Sequence, residues 1–117
     1  MTREQVQIDF AQANAAVAIM EEAADILNMA DRFHEEYLEM QRCFWQGESA
    51  QRFHQLGQHV GERWISRRAQ LLAIAAATRD AARRWYEAEM RAIEIAERRE
   101  RERAERERAM NDLNKKK

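Results

Sequence analysis

The chain has 117 residues, 45% of them hydrophobic and 35% charged, with three glycines and no proline. That balance argues against a sheet-rich or disordered protein and for one small all-α domain built of long helices. Twenty basic residues stand against 21 acidic ones, a formal net charge of -1, so no one-signed field exists to hold nucleic acid or anionic lipid.

Thr2 precedes Arg3-Glu4-Gln5 and is placed to cap a first helix over about residues 3 to 44. At ~1.5 Å per residue that arm is about 60 Å long. The stretch Met1 to Gln7 has no basic region followed by an apolar core, so a cleaved secretory signal is not expected. The longest apolar run, Leu71 to Ala77, falls far short of the ~20 residues of a membrane span. The expectation is a soluble chain without direct membrane insertion, one that does not use the ordinary export route.

From Ala16 onward a strict heptad runs along the first arm. Ala16, Ala23, Ala30, Tyr37 and Phe44 take one position, and Ile19, Ile26, Phe33 and Met40 follow three residues later. These residues are expected to pair with the second arm. Beside them lies another row, Val17, Met20, Ala24 and Leu27, which widens the apolar arc beyond one helix contact and is assigned to a partner.

Phe44-Trp45-Gln46-Gly47-Glu48-Ser49 interrupts the pattern. Gly47 can take the positive φ that closes a helix, and Ser49 or Glu48 can cap the next one. The turn is expected over about residues 45 to 48, with Trp45 lying across the start of the second helix as a staple. Cys43 is the single cysteine, so no internal disulfide forms, and it reads as a small apolar filler.

The second helix, from about residue 49, repeats Ala50, Gly57, Trp64, Leu71, Thr78, Trp85 and Ala92. Phe53, Val60, Arg67, Ile74, Ala81, Ala88 and Ile95 pair with them in the same heptad. A neighbouring row of Ile65, Leu72, Ala75, Ala82, Tyr86 and Ile93 extends the stripe. Gly57 and Gly61 each cost roughly 1 kcal/mol inside a helix, so a close approach is expected there, most simply of Tyr37, Met40 or Phe44. The alternative is a soft spot where the helix bends on binding.

Both arms carry more apolar surface than a hairpin consumes, and such surplus marks a surface built to be covered. The expected product is an antiparallel helix-turn-helix hairpin over residues 1 to 95 that dimerises into a four-helix bundle. Its partner interface is assigned to Val17, Met20, Leu27, Ile65, Leu72, Tyr86 and Ile93. Burying on the order of 1,000 Å² per subunit at roughly 25 cal/mol per Å² yields some tens of kcal/mol before entropy is subtracted.

After Ile95 the chain becomes alternating glutamate and arginine, with pairs such as Glu97/Arg101 and Glu102/Arg106 one turn apart. These support a solvated helical extension at ~0.3 kcal/mol apiece, and the end from Asn111 is expected to fray. The alternative for this tail is a segment read by another protein.

No nucleophile has a base at workable spacing, so an enzyme is not expected. His54 and His59 are poorly aligned on one helix face, His34 comes from the other arm, and neither a metal nor any other cofactor is assigned.

A helical chain of about a hundred residues with Trp45-Gln46-Gly47 at its midpoint, then Ala50 and Phe53, resembles the WXG-motif family, the early-secreted-antigen-like proteins of bacterial type VII secretion. The stretch Ala81-Ala82-Arg83-Arg84-Trp85-Tyr86-Glu87-Ala88-Glu89 is similar to the family's alanine-alanine-x-x-tyrosine region, and the resemblance covers about residues 1 to 95. It implies a hairpin that pairs as a homodimer or heterodimer with another such hairpin. Export would be in the folded state, through a membrane secretion ATPase and without a cleaved signal. Trp45 and Gly47 would form half of the export signal and Tyr86 with Glu89 the other half. The family's second half is Tyr-x-x-x-Asp/Glu, whereas Met90 follows Tyr86 at that spacing and Glu89 stands one residue early. Either a partner supplies that half, or the chain stays in the cytoplasm as adaptor for a larger toxin-like substrate. A second reading, from the coiled-coil pattern alone, is a non-secreted structural or scaffold subunit.

Overall fold

The computed structural model describes residues 1–116. Two helices account for nearly all of them: α1, Arg3–Phe44, and α2, Glu48–Lys115. Thr2 begins α1 with its hydroxyl oxygen accepting from the Gln5 N–H at 3.2 Å, and its carbonyl accepts from the Val6 N–H at 3.0 Å. These bonds satisfy donors that a bare helix start leaves orphaned.

The reversal is compact. The Trp45 N–H donates to the Gln41 carbonyl at 2.9 Å and closes the last turn of α1. Gly47 has φ 118°, a conformation L side chains rarely adopt, and its carbonyl accepts the first helical bond, from Gln51 N–H at 3.0 Å. Gly47 is thus the residue flanking α2, and Glu48 and Ser49, expected as caps, lie inside that helix. At the far end α2 continues to Lys115, so of the segment from Asn111 to Lys117 that is expected to fray, Asn111 to Lys115 is helical and Lys117 lies outside the described residues. Asn111 to Lys115 contains no glycine or proline, and Lys115 in the last turn complements the negative end of the helix dipole.

The chain divides into two compact units, Ala13–Asp80 and Met1–Gln12 with α2 from Ala81 onward. In the first, α1 and α2 run antiparallel. Glu21 pairs with Arg79, the His34 ring sits 5.0 Å from that of Trp64, and Arg42 reaches His54 at 2.7 Å. The inward residues of α1 are Ala13, Val17, Met20, Ala24, Leu27, Asp31, His34, Leu38 and Gln41. From α2 they meet Ala50, His54, Gly57, Gly61, Trp64, Arg68, Leu71 and Ala75. Val17, Ala24 and Ala75 are 1%, 0% and 2% exposed.

This seam corrects the expected one. The row Ala16 to Phe44 with Ile19, Ile26, Phe33 and Met40 does not pair with α2, and its large members are exposed. The row assigned to a partner is the one that does. Before Ala16 the expected row continues into Gln5, Asp9 and Gln12, whereas the inward row continues through Val6, Phe10 and Ala13. A seam that stays apolar toward the helix start buries more there than one that runs into Gln5, Asp9 and Gln12.

The glycines permit the close approach, though with other residues than expected. A Cβ on Gly57 would stand 2.5 Å from Leu38 Cδ2, and one on Gly61 3.5 Å from Asp31 Oδ1. Tyr37, Met40 and Phe44 point elsewhere. Gly57→Ala is therefore expected to lower stability despite its better helix propensity. The gain of ~1 kcal/mol is outweighed by about 2 kcal/mol for displacing Leu38, which is 6% exposed. Chemical denaturation checks this, and a Leu38→Ala background, which removes the clash, should turn the sign of the change.

In the second unit Val6 is fully buried, the Phe10 ring stacks on Tyr86 at 4.5 Å, and Arg3 pairs with Glu97 at 3.1 Å. That pair is exposed and contributes at most about 1 kcal/mol. Among the described residues no helix is long and apolar enough to cross a membrane.

Candidate interaction face and turn

The two sides of the Ala13–Asp80 hairpin differ. One holds an open groove of about 480 Å³ lined by Glu35, Glu39, Gln58, Glu62 and Ile65 around the glycines. Each of these stands to the same rotational side of its own seam, so the opposite side carries the other flank of both helices. There α1 presents Ile19, Ile26, Phe33, Tyr37, Met40 and Phe44, and α2 presents Phe53, Leu56, Val60 and Ile74. Phe33, Met40 and Phe44 are 74%, 60% and 85% exposed.

This apolar face is richest toward the turn, where the seam beneath it is poorest. Asp31, His34 and Gln41 occupy inward positions of α1 there. Asp31 Oδ1, Gln41 Oε1 and Arg68 Nε are buried without a hydrogen-bond partner, each at a cost of about 1–3 kcal/mol. His34 Nε2 lies 2.7 Å from the Gly57 carbonyl, and with that carbonyl as acceptor the ring nitrogen is the donor. A hairpin with a polar seam and an apolar outer side holds its larger driving force for association outside.

At the turn, the Trp45 ring lies 5.6 Å from that of Phe53, so it does pack on the first turns of α2. It remains 45% exposed and helps wall a hollow of about 560 Å³ shared with Gln41, Arg42, Gly47 and His54. That is room for an inserted side chain, with an aromatic wall and a polar floor. Cys43 is exposed and fills no interior space.

The residues assigned to the partner interface are thus divided. Val17, Met20 and Leu27 face α2 and leave that assignment, because the seam they form is the intramolecular one. Tyr86 is occupied by Phe10, and Ile93 is partly buried in the same unit. Ile65 and Leu72 are exposed, but on the groove side. Tyr86 and Glu89 are both partly buried. Reading the row from residue 5 onward would have shown where its apolar character stops. Among the described residues no group of three or more His, Cys, Asp or Glu is arranged to hold a metal ion. Set against protein-family models, curated proteins and solved structures, the chain matches none of them.

Proposed function

We propose that this chain is a helical-hairpin partner protein of the WXG type. It would be exported as a folded dimer by bacterial type VII secretion, or serve as the small helical partner that escorts a secreted effector. What carries the reading is one observation: the exposed apolar face ends at a turn built from Trp45-Gln46-Gly47, with the tryptophan half out of the structure. An exposed ring beside a hollow suits recognition by another protein, such as a membrane secretion ATPase, better than it suits packing. The partner is a homologous or identical hairpin, with a larger toxin-like substrate carried by the adaptor form.

The test is fractionation of the source cells, measuring the chain in cell-free culture fluid against a cytosolic marker. Enrichment outside is expected, and Trp45→Ala should lower it about tenfold while far-ultraviolet circular dichroism stays unchanged, since the ring contributes little to the seam. Strict retention inside removes the exported form, and loss of helicity in Trp45→Ala makes the ring a core residue. The second reading, a non-secreted coiled-coil scaffold subunit, is favoured by the continuation of α2 for many residues past Glu97, the level at which it meets Arg3.

A further inference from the structure

Past Ile95 the surface of α2 changes character. Residues 94–115 are all exposed, and the pairing of Glu97 with Arg3 marks the level at which α1 begins beside them. Between Ile95 and Met110 the only apolar side chains are Ala96, Ala104 and Ala109, so no stripe exists for a second helix to cover, whether from this chain or another. A helix that is polar all round is either unstable or held by its own charge pairs.

The residues here supply the second case. Six pairs of opposite charges stand four residues apart between Glu97 and Asp112, four of them made by Arg101 and Glu102, against one like pair, Arg99 and Arg103. At a spacing of three the two kinds nearly cancel, with Arg103 4.0 Å from Glu100 among the favourable ones. From Ala96 to Lys115 there is no glycine, proline or β-branched residue. Nucleation, the unfavourable step of helix formation, is already complete where α2 packs on α1, so the overhang has only to propagate.

We infer that residues 98–115 are a self-standing helical arm, held by its own charge pairs, that acts as a stiff spacer. At ~1.5 Å per residue it holds its far end about 27 Å beyond the start of α1. Met110 and Leu113, 64% and 62% exposed and three residues apart on one side of the arm, are thereby kept at a fixed reach. Both proposed roles leave these residues outside the hairpin contact, so the arm rests on neither.

Nitroxides on Ala96→Cys and Asn114→Cys, in a full chain carrying Cys43→Ser, measure the arm directly. Eighteen residues make five whole turns, so both labels leave the same side, and a single narrow peak at about 27 Å is expected, unchanged on dilution. A flexible segment of that length has a broad distribution around roughly 21–25 Å, and that result overturns the arm. Arg101→Glu together with Glu102→Arg keeps composition and net charge while making four of the six pairs repulsive. This exchange should speed amide hydrogen exchange over residues 100–112 about tenfold and broaden the peak, with the thermal transition of the packed helices unchanged. A peak that stays narrow in the exchanged variant overturns the charge pairs as its support. A peak that narrows only at high concentration overturns the self-standing arm, because a second chain is then holding it.

Discussion

Val17→Asp is expected to abolish cooperative thermal unfolding of the chain. Val17 is 1% exposed on the inward row of α1, near the fully buried Ala24. A carboxyl group there is either ionised in an apolar seam or neutralised without compensation, at a cost of several kcal/mol. A small domain has only about 5–10 kcal/mol to lose. Val17→Ala, which removes methyl groups without adding a charge, should cost nearer 2 kcal/mol. The control is Ile19→Asp, two residues away and 66% exposed, which should change monomer stability by about 0.5 kcal/mol or less. Circular dichroism melting at high dilution decides between them. If Ile19→Asp unfolds the chain and Val17→Asp does not, the seam has been assigned to the wrong row.

Phe33→Glu combined with Met40→Glu should do the reverse, leaving the hairpin intact and removing the association proposed for it. Both side chains stand out from α1, at 74% and 60% exposure. A phenyl ring covers ~150–250 Å² in a contact, which at roughly 25 cal/mol per Å² is about 4–6 kcal/mol before losses, and more than a hundredfold in affinity after them. The measurement is sedimentation or light scattering alongside circular dichroism, with capture of the native partner from the source cells as the functional readout. Association that survives the double substitution with helicity unchanged would place the contact elsewhere, the acidic groove over Gly57 and Gly61 being the next surface to test.

These two expectations divide at the point where the sequence was least informative. Helix content, the break at Gly47 and the cap at Thr2 follow from local rules, since each depends on the φ preference or hydrogen bonding of one or two residues. The close approach at Gly57 and Gly61 was legible for a similar reason, because two glycines four apart in a helix need a neighbour to justify their cost. Which side chains come close was not. Leu38 and His34 occupy the space where Tyr37, Met40 and Phe44 were expected, because rotating α1 by one row changes every contact together.

The turn shows the same limit on a smaller scale. Glycine at the reversal was legible, yet Gly47 begins α2 with its own carbonyl, and Ser49 lies a residue inside the helix. The charged tail differs again: its glutamate and arginine pairs one turn apart support helix locally, and α2 continues to Lys115.

By itself, the sequence determined that this protein is two long helices joined at Gly47, with more apolar surface than one hairpin contact can use. Periodicity settles that much, since residues three and four apart must share a helix face. Only the tertiary structure decided which apolar row faces inward and which is left for something else. Both rows of α1 recur with the same seven-residue period, and a periodic pattern states that a stripe is apolar without stating what covers it. The choice went to the row that stays apolar through Val6, Phe10 and Ala13 toward the start of α1, and so Ile26, Phe33, Met40 and Phe44 are on the outside.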